Sequence, residues 1–460
     1  MAPSRLLPAL ILSLLVSCRT AAPPPVATEE SAPPDGSLAF VGVNLVPMTR
    51  ELGVVRAQTV IVRDGRIETV GPAATTPVPA GAERIEGRGR YLMPGLADMH
   101  VHLEYFESPA VLELFLASGV TFVRNMDGRP WILEWKRAID AGELEGPAIY
   151  TAGPLLDGSP PALPDNTVLA TEEEARAAVA GQQAAGYDFI KVYTNLQSKI
   201  YEAILDEALQ RGMPVAGHVP RRSTMRRALE GHASIEHLAD FDELIESDDS
   251  PVRGRWDWSK LYLAMPADPQ KTAAAAAQVA AAGVAVVPAL VQAQHALARP
   301  EVLASWLARE ELTAVPPDAV THWENRVRAA SARLDDEDWQ IVERGAANRL
   351  ALVKALHAAG VTILAGTDTP NPFVVPGASI HRELQLLVAA GLTPKAALAA
   401  ATREAARFVG QEDEWGTVER GKRADLVLLA GNPLRSIAAT ATPVVVMVRG
   451  VVRRAEPDRR

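Results

Sequence analysis

Histidines, a lysine and an aspartate sit at the ends of apolar runs, where they could do chemistry. His100 and His102 close the run Leu96-Ala-Asp-Met-His-Val-His102, one residue apart. In an extended strand alternate side chains share a face, so the pair can present two neutral imidazoles to one borderline metal ion such as zinc. Alone, the pair is equally well read as a polar strand end with no ligand. His218 ends Pro214-Val-Ala-Gly-His218, His237 ends Ala233-Ser-Ile-Glu-His237, and Asp368 ends Val361-Thr-Ile-Leu-Ala-Gly-Thr-Asp368. Lys191 lies inside Tyr187-Asp-Phe-Ile-Lys-Val-Tyr193, where a cation is costly to bury and must be paired, neutral or modified. Each residue has a dull explanation: a strand-end histidine can bond a backbone carbonyl, and a strand-end aspartate can cap a helix. Their recurrence at successive strand ends needs one.

The elements that would position them alternate strand and helix. Candidate strands are Gly95–His102, Gly119–Asn125, Ala148–Gly153, Tyr187–Tyr193, Pro214–His218, Ala233–His237, Val284–Leu290 and Val361–Asp368. Several are entered through Ala-Gly or Ser-Gly, the signature of a helix C-cap handing the chain to a strand. Eight such units over about 310 residues predict an α/β fold, a closed (β/α)8 TIM barrel spanning 94–413. No Gly-x-Gly-x-x-Gly run follows a strand, which counts against an open dinucleotide-binding sheet. In a closed barrel the strand C-termini converge on one face, so the candidate residues would meet there.

Short strand-like runs at both ends, with Asp64-Gly65 as a hairpin signal, are too few on either side for a stable sheet. They predict a small β-sandwich domain built from 37–93 and 414–455 together. Two insertions are expected at the barrel mouth. One runs from about Ala296 to His357 with Trp306, Trp323 and Trp339; the other holds the acidic run from Asp240 to Asp249 with Trp256 and Trp258. The acidic run reads as a solvated face and the tryptophans as packing.

Residues 1–18 read as a lipoprotein signal peptide, with Arg5 before the apolar stretch Leu6–Val16 and a lipobox-like Leu15-Val-Ser-Cys18. Cys18 is the sole cysteine, which suits lipidation better than a disulfide or a nucleophile. Residues 19–36, rich in Ala and Pro, read as a flexible tether. The expected location is the bacterial cell envelope, at the outer membrane or facing the periplasm, with membrane contact through the lipid anchor only. The chain carries 46 Lys and Arg against 56 Asp and Glu, a net charge of −10, with no basic run. Nucleic acid is therefore not an expected partner. Oligomeric state is not legible.

Taken together, Pro94-Gly-Leu-Ala-Asp-Met-His-Val-His102, Ser234-Ile-Glu-His237, Ala365-Gly-Thr-Asp368 and Gly416-Thr-Val-Glu-Arg-Gly-Lys-Arg-Ala-Asp-Leu-Val427 resemble the amidohydrolase superfamily over about Leu38 to Val452. Phe189-Ile-Lys-Val-Tyr193 resembles its binuclear branch with a carboxylated lysine, which includes Xaa-Pro dipeptidases; imidazolonepropionase-like members are also similar. The resemblance implies a metal-dependent hydrolase cleaving an amide-type C–N bond of a dipeptide, an N-acyl amino acid or a related small amide. It implies His100, His102 and Asp368 on a buried metal, His218 and His237 on a more exposed one, and a CO2-derived carbamate on Lys191 bridging both. Zinc, two ions per chain, is the expected metal, with manganese and cobalt compatible. A metal-bridging hydroxide would attack the carbonyl, with Asp368 as general base and then acid. Tyr193, Arg221, Arg222 and Arg124 are candidate substrate contacts, the arginines for a substrate carboxylate. His295, His322 and His357 read as structural, His232 as marking the turn into the sixth strand, and His381 as either a supporting group or a helix-surface residue. The alternatives are a mononuclear cyclic-amide hydrolase or deaminase of the same superfamily, and a non-catalytic surface-binding lipoprotein. For the deaminase, His218-Val-Pro-Arg221 supplies no acid beside the strand-five histidine.

Overall fold

The structure is a computed structural model and describes residues 36–51, 53–254 and 257–454. The expected signal segment, Cys18, most of the tether, Trp256 and the extreme C-terminus lie outside the described residues. The first strands belong to the small sheet: β1 (Ser37–Leu45), β2 (Val55–Arg63), β3 (Arg66–Pro72), β4 (Glu83–Glu86) and β5 (Tyr91–Pro94). The barrel contributes β6 (Leu96–Val101), β7 (Val120–Asn125), β8 (Ala148–Thr151), the short β9 (Leu156–Asp157) and β10 (Thr167–Val168), then β11 (Ile190–Val192), β12 (Val215–Gly217), β13 (Ser234–Glu236) and β14 (Ala285–Val287). The chain returns to the small sheet through β15 (Leu426–Leu429), β16 (Pro443–Val448) and β17 (Val451–Arg454).

The two chain ends are knit by hydrogen bonds. β15 runs antiparallel to β5, pairing Leu426 with Pro94 and Val427 with Met93, and β5 lies parallel to β1. The β-sandwich expected from the sequence takes the form of one mixed sheet of eight strands, in which β1 is flanked by β2 on one side and by β4 and β5 on the other. Leu38, Phe40, Val60, Val62, Leu92, Leu426, Leu428, Val445 and Met447 share one buried core. Alternation along each strand puts these apolar residues on one face, which is why neither end can fold without the other.

In the barrel, parallel pairing runs β6–β7–β8 and β11–β12–β13–β14. A bridge between Ala152 and Phe189 joins the two sets. The ring closes through 361–369, which is not a regular strand. It touches β14 through Ile363 and β6 through Thr369, with Leu364 N donating to Val286 O (3.0 Å) and Met99 N to Ala365 O (2.8 Å). The eighth strand expected from the sequence is thus present in place but irregular in hydrogen bonding. Ala97, Met99, Phe122, Ala285, Val287 and Leu364 pack with Trp415, whose ring stacks on Phe122 at 4.3 Å, and fill the barrel.

Helices follow the strands. The helix Pro269–Ala282 ends on Gly283 at φ 70°, a left-handed cap that turns the chain into β14. The large insertion folds as the helices Pro300–Leu307, Pro317–Ser331 and Asp336–Ala358. Trp306 and Trp323 bury their rings against Phe373, in the loop that leaves Asp368, while Trp339 lies under the Arg299 guanidinium. The insertion therefore braces that loop by packing. No described helix is long and apolar enough to cross a membrane.

Candidate metal centre and active site

The side chains of His100, His237 and Asp368 converge, each offering one ligand atom, all within 4.8 Å of one another. Asp368 Oδ1 lies 3.2 Å from His102 Nε2 and 3.4 Å from His100 Nε2, and its Oδ2 lies 3.7 Å from His237 Nε2. The His218 ring stacks on His237 at 5.0 Å, and the Tyr193 ring meets its edge at 4.7 Å. Lys191 is almost wholly buried on β11 and feels the charges of Glu236 and Asp368. The six residues singled out for a metal centre thus gather at one end of the barrel.

Local backbone features aim them. His237 and Asp368 leave their strands at φ 64° and φ 62°, a left-handed conformation that non-glycine residues seldom adopt. Gly366 lets the eighth segment approach β6, because a Cβ there would sit 2.6 Å from Val287 Cγ1 and 2.8 Å from His100 Cβ. Asp98 ties the same two segments. Its Oδ1 accepts from Thr367 N at 2.9 Å and its Oδ2 from Thr367 Oγ1 at 2.6 Å.

Three of the four histidines have a carboxylate behind them. His100 Nδ1 meets Glu236 Oε2 at 2.8 Å, His102 Nδ1 meets Glu104 Oε1 at 2.6 Å, and His218 Nδ1 lies 3.4 Å from Asp240 Oδ2. A carboxylate on one ring nitrogen fixes the tautomer and directs the other nitrogen at a ligand, the usual arrangement around metal-bound histidine. His100 Nε2 is buried and has no hydrogen-bond partner. This orphan nitrogen, facing a carboxylate, fits a divalent cation.

Electrostatics agree. Burial holds His100 well below the usual imidazole range and His237 down at about 4, so both are neutral and ready to donate a lone pair. At His102 burial opposes the charge, but Glu104 and Asp368 outweigh it and raise the imidazole to about 10. Two carboxylates that hold a proton so firmly would also attract a metal cation. Burial would push Asp368 up, yet His100, His237 and His102 hold it well below the usual carboxylate range. Burial brings Lys191 down to about 8, against the pull of Glu236 and Asp368, so a fraction of the amine is neutral near physiological pH.

The candidate substrate contacts divide. Tyr193 stands against His218, and burial raises its hydroxyl, which also feels Asp368 and the Arg221 cation. Arg221 is exposed, with its backbone N–H bonded to Thr194 O at 2.9 Å. Arg222 turns instead to the Gln197 side chain. Arg124 departs from the expected role of meeting a substrate carboxylate. It is fully buried on β7 and bonds Met99 O (2.7 Å), Ser234 Oγ (2.9 Å) and Glu236 Oε1 (2.5 Å), because an arginine inside a strand must find its partners in the core.

Asp240, expected at the head of a solvated acidic run, is partly buried, accepts Val219 N at 2.9 Å and faces His218. His381 is neither on the helix surface nor at the centre: it is buried and bonds Thr440 Oγ1 at 3.0 Å. His295 is buried beside Trp306 and bonds Arg309, a packing role as expected. Glu236, Glu104 and Asp98 were missed. Each lies one or two residues from a singled-out histidine, and that spacing was the available signal.

Known proteins resemble the chain along most of its length. Imidazolonepropionase of Caulobacter sp. (strain K31) is 27% identical over 397 residues, 82% of this chain and 88% of that protein. Ochratoxinase of Aspergillus niger is 25% identical over 460 aligned residues, covering 85% of this chain and 81% of its own. Among solved structures, bottromycin amidohydrolase superposes with a TM-score of 0.71 at 28% identity, covering 91% of this chain and 87% of that one. The sequence model of the amidohydrolase family matches residues 91–453, which takes in every strand of the barrel and the returning strands of the small sheet. The chain belongs to the amidohydrolase family, and it is a metal-dependent hydrolase acting on carbon–nitrogen bonds.

Proposed function

We propose that the protein hydrolyses the amide bond of a dipeptide or N-acyl amino acid at a binuclear centre. The reading belongs to the branch that resembles Xaa-Pro dipeptidases. The observation that carries it is the convergence of His100, His237 and Asp368 around the orphan His100 Nε2. His100, His102 and Asp368 would hold one zinc ion, His218 and His237 a second, and a carbamate on Lys191 would bridge them. When bound, such ions lower the pKa of water and polarise a carbonyl.

The chain's own residues supply the rest. Lys191, buried with no carboxylate within ion-pair distance among the described residues, has reason to exchange its cation for an anionic carbamate. Asp368, between three imidazoles, would take a proton from the attacking water and return it to the leaving nitrogen, which departs poorly as an anion. Tyr193, against His218, would orient the substrate from the side of the second ion. Arg221, which borders Tyr193, is the candidate to meet a free carboxylate.

Asp240 gives the mononuclear deaminase reading its one support, since it puts a carboxylate near His218. It meets the back nitrogen, however, and so acts on the histidine rather than on a substrate ring. For Cys18, the lipobox-like run supports export and lipid anchoring in the envelope.

A screen of zinc-loaded protein against dipeptides and N-acyl amino acids tests the activity, with zinc content counted on the same sample. About two zinc per chain and turnover of at least one class are expected. One zinc per chain with cyclic-amide or deaminase turnover would overturn the reading in favour of its rival. Mass spectrometry under mild conditions should show the Lys191 carboxylate, and palmitate labelling should be lost in Cys18→Ala.

A further inference from the structure

Behind the centre, Arg124, Ser234 and Glu236 close a ring of hydrogen bonds with nearly no access to solvent. Arg124 Nη2 donates to Glu236 Oε1 at 2.5 Å and its Nη1 to Ser234 Oγ at 2.9 Å, while Ser234 Oγ donates to Glu236 Oε1 at 2.6 Å. Arg124 Nε is anchored on Met99 O at 2.7 Å, the carbonyl of the residue preceding His100. Phe189 and Phe408 flank the guanidinium at 5.6 Å and 5.1 Å, so it has no room to swing away. The other oxygen, Glu236 Oε2, meets His100 Nδ1 at 2.8 Å.

Two consequences follow. A carboxylate on Nδ1 requires that nitrogen to carry the hydrogen, which leaves Nε2 as a lone pair facing Asp368, 3.4 Å from Oδ1. Arg124 also satisfies the charge of Glu236. Without it, Glu236 would keep its bonds to Ser234 and His100 but lose its balancing charge in the barrel interior, and the Lys191 cation, which already feels it, would be drawn to it.

We propose that Arg124 and Glu236 are a positioning pair. Glu236 orients His100 toward the metal, and Arg124 keeps Glu236 at that task and away from Lys191. Neither residue touches substrate. The proposal rests on the metal-centre reading, but it names residues that reading does not use and predicts a property other than turnover.

Three single variants and one double variant test it, with zinc affinity read by chelator competition and folding by circular dichroism and melting temperature. Glu236→Gln keeps the volume and loses the charge pairing. It should remain folded and bind zinc about 10- to 100-fold more weakly, the usual effect of losing a group behind a ligand. Ser234→Ala, a milder change, should weaken zinc binding less, in the same direction, and keeps the test usable if Glu236→Gln fails to fold. Arg124→Gln should weaken zinc binding and also lower the carboxylated fraction of Lys191 seen by mass spectrometry. Adding Glu236→Gln to Arg124→Gln should restore that fraction, because the competing anion is gone. Wild-type zinc affinity in folded Glu236→Gln and Ser234→Ala would overturn the positioning role. An unchanged Lys191 fraction in Arg124→Gln would overturn the part played by Arg124. Failure of the wild-type protein to bind zinc would instead refute the metal-centre reading itself.

Discussion

Replacing Asp98 tests how much its carboxylate adds to the backbone hydrogen bonds that hold the eighth barrel segment against β6. Asp98 is fully buried, and its Oδ1 accepts from Thr367 N at 2.9 Å and, more weakly, from His100 N at 3.3 Å. Its Oδ2 accepts from Thr367 Oγ1 at 2.6 Å. Asp98→Ala strands these donors in the core. A buried unsatisfied group costs about 1–3 kcal/mol, so with the longer contact counted at the low end the loss is about 3–7 kcal/mol. Asp98→Asn should behave quite differently. Its amide oxygen can take both backbone N–H groups, and the Thr367 hydroxyl can rotate to accept from the new amide. Burial already pushes the Asp98 carboxyl up to about 7, so a neutral side chain suits the site, and the expected cost is under about 1 kcal/mol. Urea unfolding at fixed protein and zinc concentration, followed by circular dichroism, gives both values. Since Thr367 precedes Asp368, Asp98→Ala should also weaken zinc binding while Asp98→Asn leaves it close to wild type. Equal destabilisation by the two substitutions, or a loss under about 1 kcal/mol for Asp98→Ala, would refute the reasoning.

The remaining expectations concern the proton carrier and a buried acid outside the centre. Asp368→Asn keeps the shape but removes the base, so turnover should fall by about 10²- to 10⁴-fold while zinc remains measurable on the protein by elemental analysis; near-normal turnover would remove Asp368 from the proton path. Glu383, fully buried on the helix Ser379–Ala389, accepts Val291 N at 2.8 Å through Oε2 and leaves Oε1 without a partner. Burial raises its carboxyl from 4.5 to about 8, so the folded state keeps a proton that the unfolded chain releases. The stability tied to that proton is whole below about pH 4.5 and is lost as pH rises toward 8. Glu383→Gln should therefore flatten the fall of the urea midpoint between about pH 5 and about pH 8, and parallel profiles for variant and wild type would contradict this assignment.

What the sequence displayed, and what it hid, follows from the range of the contacts involved. The strand-end residues were legible because a strand shows its direction and its end locally, and a closed barrel then brings all such ends together. The burial of Lys191 was legible for a similar reason, as one charge inside an apolar run. Arg124 has the same local appearance on β7, yet its purpose was misread, because its partner Glu236 lies 112 residues away and nothing near Arg124 announces it. Asp240 was hidden differently. It heads a run of acidic residues, so its company suggested solvent, whereas the turn after His237 carries its side chain back toward His218, and Glu246 of the same run is buried as well. The irregular eighth segment shows the limit of pattern reading from the other side. Its apolar alternation announces a strand, but Gly366 draws it against β6, and the left-handed turn at Asp368 then bends it over the centre. Regular pairing would send the Asp368 carboxylate along the strand instead of among the imidazoles. The local departure from the rule is therefore what assembles the site, and the Asp98 carboxylate, together with the backbone bonds to β6, stabilises that departure.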